Sequence, residues 1–133
     1  MSETPTPKSE RGEPAIRTVP MPSDANNNGD IFGGWVLSQM DIAGGTIAAR
    51  HARGRVVTVA IDAMTFHRPI QIGDLVSIYG KVGKIGRTSI TIDLETVVER
   101  RLESGEIKVT EGKYIFVAID ANGDPRPIVS DNS

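Results

Sequence analysis

A single segment of the chain, residues 33–53, has the pattern of a long α-helix, and this helix is apolar on nearly every side. On a helical wheel at about 100° per residue, one broad arc is apolar and the polar strip is narrow. A helix with this pattern is mostly buried, so the rest of the chain must surround it. The apolar arc contains Val36, Leu37, Met40, Ala43, Gly44, Ile47 and Ala48, and the polar strip contains Gln39, Thr46 and Arg50.

The chain after this helix has the pattern of β-strands joined by short turns. Four long segments are rich in β-branched residues or alternate between apolar and polar side chains, and they cover residues 56–66, 75–86, 88–99 and 107–120. Residues 15–22 predict a short edge strand, because their prolines exclude a central one. Short connections favour antiparallel neighbours. We therefore predict an α+β fold in which one antiparallel sheet of about five strands curls round the helix or is completed by a second subunit.

Length and composition indicate one domain. The chain has 133 residues, which suits a single core. The polar, proline-bearing N-terminus predicts a disordered arm over residues 1–13, with a domain over residues 14–127 and a flexible tail over residues 128–133.

Composition also excludes several classes of function. The net charge of −2 gives no basic field for nucleic acid, and no apolar run is long enough to span a membrane. The absence of cysteine excludes disulfides, thiolate metal sites and a cysteine nucleophile, and it fits a reducing, cytoplasmic setting. With only two histidines, we expect neither a metal site nor a cofactor.

One carboxylate, Asp41, lies at the edge of the apolar arc, and two glycines, Gly33 and Gly34, open the helix. Free N–H groups and the positive end of the helix dipole gather at a helix start, and glycine lets a ligand oxygen approach them closely. An oxyanion site and a carboxylate about two turns along form a hydrolytic pair. The alternative is a carboxylate that is simply half exposed or hydrogen-bonded to a neighbour.

The stretch MPSDANNNGDIFGGWVLSQMDIAGG, followed by GRVVTVAIDAMTFHRPIQIGDLVSIYGKVGKIGRTSITI, resembles the hotdog-fold acyl-CoA thioesterases, and among them the small bacterial YciA-like branch. The resemblance covers residues 21–127. It implies a hotdog fold, a curved antiparallel sheet wrapped round one long central helix. It also implies hydrolysis of acyl-CoA to free fatty acid and CoA, a dimer joined edge to edge through its sheets, and a trimer of dimers.

The resemblance also implies roles for individual residues. Asp41 is the catalytic carboxylate, either as a base that activates water or as a nucleophile. Gly33, with Gly34 beside it, gives a backbone N–H to the thioester carbonyl, and Asn26 supplies a second polar contact. These groups face each other across the dimer interface. Asn27 and Asn28 offer alternatives to Asn26, because the three asparagines are consecutive.

A second group of residues is predicted to bind the phosphates of coenzyme A, which suit cationic and N–H donors. A solvated hairpin is the alternative for most of them. The group consists of Arg53, Arg55, Lys84, Arg87, Thr88 and Ser89.

Two other functions compete with hydrolysis. A hotdog protein can bind an acyl thioester without cleaving it, and the motif with Asp41, Gly33 and Asn26 favours the enzyme over the binder. Dehydration of a hydroxyacyl thioester pairs a histidine with a carboxylate. The sequence disfavours it, since we interpret His51 as a packing or capping residue and His67 as a turn residue. Acyl chain length and the choice between base and nucleophile stay open.

Overall fold

The computed structural model describes residues 3–128, which form one long helix against a five-stranded antiparallel sheet. In chain order the elements are α1 (Lys8–Arg11), β1 (Ile16–Thr18), a 3₁₀ turn (Pro22–Asp24), α2 (Gly33–Ala52), β2 (Val56–Phe66), β3 (Leu75–Ile85), β4 (Ser89–Glu99) and β5 (Ile107–Ala118). The predicted α+β fold and its five strands are confirmed. None of the helices within residues 3–128 combines the length and hydropathy needed to cross a bilayer.

The strands lie in the order β1-β3-β4-β5-β2, and every neighbouring pair is antiparallel. The short strand β1 therefore forms one edge of the sheet and the long strand β2 forms the other. The helix α2 lies on one face, which we call the inner face, and it contacts β2, β3, β4 and β5.

The core lies between α2 and the inner face. Alternate residues of the central strands point towards the helix, as the period of a strand requires. Gly44 lies in the middle of α2, where a glycine lowers the stability of a helix, and close packing against the sheet accounts for it. A Cβ atom there would lie 3.0 Å from the ring of Phe116 and 3.1 Å from Leu94, so any larger residue would have to displace these side chains while α2 sits this close to the sheet. The fully buried side chains include Met40, Ala43, Ala48, Ile78, Ile90, Ile92 and Tyr114.

The edge strand β2 has exposed apolar side chains. Val57, Val59 and Ile61 are all exposed in the single chain, and the register with β5 shifts at two points along the strand. Exposed edges of soluble proteins are usually short, charged or covered, because a flat apolar edge pairs with other chains. This edge is therefore suited to pairing with another strand.

The described part of the N-terminal arm, from residue 3, lies against the outer face of the sheet. The carboxylate of Glu95 accepts hydrogen bonds from the backbone N–H and the hydroxyl of Thr6, at 3.0 and 2.8 Å. Arg11 forms an ion pair with Glu106 at 2.5 Å and lies 4.1 Å from the ring centroid of Tyr79. Composition indicates a polar arm, but it cannot show that Thr6 and Arg11 have charged partners far along the chain.

The predicted tail lies outside the described residues except for Ile128. Its backbone N–H donates to the carbonyl oxygen of Arg87 at 2.9 Å.

Candidate active site

Asp41 lies in the middle of α2 with its side chain partly buried. The hydroxyl of Thr58 donates a hydrogen bond to Oδ1 of Asp41 at 2.5 Å. Thr58 is opposite Phe116 in the sheet, and directly opposed residues share a face, so Thr58 points towards the helix. The contact leaves Oδ2 of Asp41 to act on another group.

Tyr114, on β5, forms a hydrogen bond with the turn of α2 that carries Asp41. Its ring is fully buried, and its hydroxyl donates to the carbonyl oxygen of Leu37 at 2.7 Å. Leu37 precedes Asp41 by four residues, so its carbonyl also accepts the helical hydrogen bond from the N–H of Asp41. Burial, and after it the nearby negative charge of Asp41, raises the pKa of Tyr114 to about 12. The phenol is therefore neutral and remains a donor at physiological pH.

Sequence reasoning missed both Thr58 and Tyr114. Each is a hydroxyl-bearing residue with apolar neighbours in its strand, and a buried tyrosine hydroxyl needs a hydrogen-bond partner. That pattern indicates a polar contact, but only the register of the sheet shows that both contacts are with the turn that carries Asp41.

Gly33 and Gly34 are the first two residues of α2, and both are exposed. The first N–H groups of a helix have no partner inside the helix, and within the described ranges no other acceptor contacts these two. A Cβ atom on Gly33 would lie 3.7 Å from the ring of Phe66, and one on Gly34 would meet nothing described within 4 Å. Packing inside the chain therefore does not require either glycine. Their exposed N–H groups are open to an oxygen from outside.

Asn26 organises the loop before the helix. Its side-chain Oδ1 accepts hydrogen bonds from the backbone N–H groups of Asn28, at 2.9 Å, and Asp30, at 3.2 Å. These two donors identify the oxygen of the amide, so the other end is the NH₂ group. Among residues 3–128 no acceptor contacts that nitrogen. Asn27 and Asn28 are both exposed, so Asn26 is the asparagine with a fixed side chain.

The two parts of the predicted site do not meet within one chain. Gly33 and Asp41 are eight residues apart on the same helix, which separates them by about 12 Å along the axis. A single thioester carbonyl cannot contact both at once. The chain therefore carries two separate half-sites. One is the carboxylate of Asp41, and the other is the pair of N–H groups of Gly33 and Gly34.

The residues predicted to bind coenzyme A lie at the end of the sheet where α2 finishes. Arg53 is the C-cap of α2, with a left-handed φ of 56°. The carbonyl oxygen of Arg55 accepts from the N–H of Ile119 at 3.0 Å, and that of Thr88 accepts from the N–H of Ala118 at 2.9 Å. The loop of Arg55 and the loop of Thr88 therefore flank the end of β5.

The turn between β3 and β4 contains the other members of this group. Its backbone closes through a hydrogen bond from the N–H of Gly86 to the carbonyl oxygen of Ser89, at 2.8 Å. Lys84 and Arg87 are exposed on either side of Gly86. The structure thus brings the predicted cations and hydroxyls to one end of the molecule, where the cations are exposed and the residues that bear the hydroxyls, Thr88 and Ser89, are partly buried.

Arg126 adds a further cation that sequence reasoning missed. Its guanidinium donates to the carbonyl oxygen of Ala52, at 2.9 Å, and to that of Ile119, at 3.1 Å. It therefore caps the C-terminus of α2, where a positive charge is favourable. A Cβ atom on Gly54 would meet this guanidinium, so a larger residue there would have to displace the side chain of Arg126.

Other titratable residues have structural partners. Nε2 of His67 lies 2.7 Å from the carboxylate of Glu111, which also forms an ion pair with Lys108 at 2.8 Å. Burial opposes the charge on Glu111, but hydrogen bonds from Lys108 and His67 outweigh it and lower its pKa. Within the described part of the chain, no three acidic, histidine or cysteine side chains cluster in a way that could hold a metal ion.

Comparison with known proteins identifies the family. The sequence profile of the Thioesterase superfamily matches residues 28–104. The acyl-CoA thioester hydrolase YciA of Salmonella typhimurium is 49% identical over 122 residues, which cover 89% of this chain and 91% of that protein. The chain belongs to the Thioesterase superfamily. The resemblance predicted from the motif around Gly33 and Asp41 is confirmed.

Solved structures show that this thioesterase-family chain has the hotdog fold. A hexameric thioesterase from Yersinia pestis is 46% identical with a TM-score of 0.86, and the match covers 94% of this chain and 99% of that one. A hexameric hotdog-fold thioesterase of Campylobacter jejuni is 40% identical with a TM-score of 0.85, and the match covers 90% and 92%. The predicted fold class is therefore confirmed.

Proposed function

We propose that this protein hydrolyses acyl-CoA thioesters, with Asp41 of one subunit acting on a carbonyl held by the helix start of its partner. The observation that carries the proposal is the position of Asp41, partly buried in the helix that packs on the sheet, with a hydroxyl on one carboxylate oxygen and the other left available. Relatives named as acyl-CoA thioester hydrolases support the substrate class.

Pairing of two β2 strands unites the half-sites. Full antiparallel overlap of two 11-residue strands brings the start of one beside the end of the other. Thr58, near the start, holds Asp41, and Phe66, at the end, lies against Gly33. A dimer through this edge therefore brings Asp41 of each subunit towards Gly33 of the partner subunit. The same pairing covers the exposed apolar residues of β2.

In this arrangement the thioester carbonyl oxygen accepts hydrogen bonds from the N–H groups of Gly33 and Gly34. The amide NH₂ of Asn26 provides a further donor to the oxygen or to the attacking water. These donors stabilise the negative charge that develops on the oxygen in the transition state, and such fixed donors typically contribute about 10²–10³ in rate. The carbon–sulfur bond then breaks, and the thiolate of coenzyme A leaves.

Asp41 promotes attack on the thioester carbonyl carbon by one of two routes. As a base, it takes a proton from a water molecule whose oxygen adds to the carbonyl carbon. As a nucleophile, its free oxygen adds to the carbonyl, and water then hydrolyses the resulting anhydride. Thr58 fixes the carboxylate in both routes. Water labelled with heavy oxygen distinguishes them in a single turnover, because only the nucleophilic route transfers the label to Asp41.

The basic end of the chain binds the phosphates of coenzyme A. Asp41 and Arg53 are twelve residues apart, so they are separated by about 18 Å along the helix direction. This span suits an extended pantetheine arm between a reacting thioester and a phosphate group. The cations and hydroxyls assigned here are Arg53, Arg55, Lys84, Arg87, Thr88 and Ser89.

We further propose that the dimers assemble as a trimer of dimers. The structures similar to this chain include thioesterases that are themselves hexameric. A dimer through β2 leaves the opposite edge of each subunit free for a second contact.

Release of thiol from a panel of acyl-CoAs tests the hydrolysis directly. The chain has no cysteine, so a thiol reagent detects only the coenzyme A that is set free. We expect turnover by the wild type and loss of at least about 100-fold in Asp41→Asn, which keeps an oxygen for Thr58 but cannot act as a base. Glu103→Gln removes the same charge from an exposed turn and serves as the control. Acyl-CoA binding without thiol release would instead establish the non-catalytic binding protein.

A further inference from the structure

The chain after β5 turns back and lies beside the loops that we assign to coenzyme A. Residues 119–128, which we call the return segment, begin with a β-bridge between Ile119 and Pro125. The turn between them is closed by a hydrogen bond from the N–H of Asp120 to the carbonyl oxygen of Asp124, at 2.8 Å. Oδ1 of Asp120 accepts from two further backbone N–H groups of the turn, at 2.9 and 3.0 Å. The direction of the chain is therefore reversed by a turn with defined internal contacts.

The backbone of the return segment holds the turn between β3 and β4. The N–H of Arg126 donates to the carbonyl oxygen of Ala118 at 2.9 Å. Two residues later, the N–H of Ile128 donates to the carbonyl oxygen of Arg87, also at 2.9 Å. The N–H of Ala118 donates to the carbonyl oxygen of Thr88, and Ile128 packs against the core. The turn with Arg87 and Thr88 is therefore bound by both β5 and the return segment.

The side chain of Arg126 connects this segment to the C-terminus of α2. Its Nε donates to the carbonyl oxygen of Ile119 at 3.1 Å, and Nη2 donates to that of Ala52 at 2.9 Å. A guanidinium presents its donors in a rigid planar fork, so these contacts fix the helix end relative to the end of β5. Arg53 follows Ala52 directly and has a left-handed φ of 56°. A non-glycine residue keeps such a backbone only where its surroundings hold it, and the contact with Arg126 provides part of that support.

The guanidinium of Arg126 has backbone acceptors for all three of its nitrogens. The third, Nη1, lies 3.4 Å from the carbonyl oxygen of Pro127. Gly54 leaves room for the group, because a Cβ atom there would meet it. Arg126 is partly buried, whereas Arg53 and Arg55, on either side of Gly54, are exposed. Arg126 is thus placed to hold the protein backbone rather than to bind a phosphate itself.

We propose that Arg126 is a positioning residue for coenzyme A, which keeps the two phosphate-binding loops in a fixed arrangement. This inference rests on the proposed function and adds a residue that acts on its phosphate site through the backbone. One loop, with Arg53, follows the helix end that Arg126 holds. The other, with Arg87, is bound by the backbone of the same segment. A preorganised set of cations binds more tightly than one that must be ordered on binding, so loss of Arg126 weakens binding of the phosphates.

Steady-state thiol release from two substrates tests this role. Acyl-CoA carries the phosphates, whereas acyl-pantetheine with the same acyl group lacks them. We expect Arg126→Ala to raise the KM for acyl-CoA by about 10-fold with kcat nearly unchanged, because it weakens binding remote from the reacting carbonyl. The KM for acyl-pantetheine should stay at its wild-type value. An unchanged KM for acyl-CoA, or an equal rise for both substrates, would overturn the inference.

Two further variants separate geometry from charge. Arg126→Lys keeps the positive charge but lacks the planar fork, so it should leave the KM for acyl-CoA raised. Full recovery of the wild-type KM in Arg126→Lys would show that charge alone acts, and would reject the positioning role. Arg101→Ala is the matched control, because Arg101 is exposed on the turn after β4, at the opposite end of that strand from Ser89. It should leave the KM for acyl-CoA unchanged, and a rise equal to that of Arg126→Ala would also reject the role.

Gly54→Ala keeps the inference testable if Arg126→Ala does not fold. The new Cβ would displace the guanidinium of Arg126 while every residue assigned to the phosphates remains. We expect the same selective rise in the KM for acyl-CoA. A Gly54→Ala protein with the wild-type KM would contradict the inference.

Binding of coenzyme A, measured by calorimetry, separates this inference from the hydrolysis. Coenzyme A carries the same phosphates and requires no reaction. We expect its Kd to rise by about 10-fold in Arg126→Ala. That loss of affinity, in a protein whose wild type releases no thiol, would uphold the positioning role and reject the hydrolysis. Equal affinities in a protein whose wild type hydrolyses acyl-CoA would reject the positioning role and uphold the hydrolysis.

Discussion

The hydroxyl of Thr58 lies 2.5 Å from Oδ1 of Asp41, and this contact joins the edge strand β2 to the middle of α2. The carboxylate is thereby positioned by the same strand whose edge is open for pairing. Formation of the dimer and orientation of Asp41 thus depend on one element.

Thr58→Val should lower kcat by about 10-fold or more, because a hydrogen bond to a charged group contributes about 1.5–3 kcal/mol. Thr58→Ser keeps the hydroxyl and should retain most of the activity. Steady-state thiol release measures both variants. Equal rates for Thr58→Val and Thr58→Ser would show that the hydroxyl does not orient Asp41.

Tyr114 gives a pH dependence with a defined sign. Its pKa in the folded protein is raised to about 12, against about 10 in an unfolded chain. The protonated phenol therefore contributes stability that is complete below about pH 10 and is lost as the pH rises towards 12. The difference in unfolding free energy between the wild type and Tyr114→Phe should shrink over this range in denaturant titrations.

Absorbance of tyrosinate provides the independent control for this prediction. The chain contains two tyrosines, and Tyr114→Phe should remove the one that ionises near pH 12 in the folded protein. An ionisation of Tyr114 at its ordinary pKa would contradict the burial and the nearness of Asp41.

The sequence predicts the fold well because its strongest patterns are local. One apolar helix and four long strands follow from periodicity, and Gly33, Gly34 and Asp41 follow from their places on the helix. Thr58 and Tyr114 could not be predicted, because their contacts depend on the register between β2, β5 and α2. The contacts of Thr6 with Glu95 and of Arg11 with Glu106 could not be predicted either, because the partners are distant in sequence.

Gly44→Ala tests the close packing of α2 on the sheet. Alanine improves helix propensity by about 1 kcal/mol, but its Cβ would be forced against Phe116 and Leu94. We expect a net loss of up to about 2 kcal/mol in unfolding free energy, since overpacking typically costs about 1–3 kcal/mol. Gly45→Ala is the matched control, because its Cβ would lie at an ordinary 3.6 Å from Phe116. A Gly44→Ala protein as stable as Gly45→Ala would refute the close approach.

Val59→Lys tests the edge that forms the dimer. Val59 is exposed at an irregular point of β2, and a lysine on an edge strand opposes pairing. We expect monomers on sedimentation and a loss of nearly all thiol release, since neither half-site is complete alone. Ile85→Lys introduces the same charge on an exposed residue of β3 and should keep the assembly. An active Val59→Lys monomer would show that one chain contains a complete site.

Gly33→Pro removes the proposed oxyanion donor with little effect on the fold. Proline is favoured at the first position of a helix, and the preceding Phe32 has φ of −56° and ψ of 137°, a conformation that proline accepts. Alone, Gly33→Pro and Asp41→Asn should each be nearly inactive.

Co-expression of Gly33→Pro with Asp41→Asn tests the shared site most directly. If each site takes Asp41 from one subunit and Gly33 from the other, a mixed dimer has one doubly defective site and one intact site. Random pairing should then restore about a quarter of wild-type thiol release, from the twofold symmetry of the dimer. Recovery near that level is the predicted result, and a mixture as inactive as its two parents would contradict a site built from both subunits.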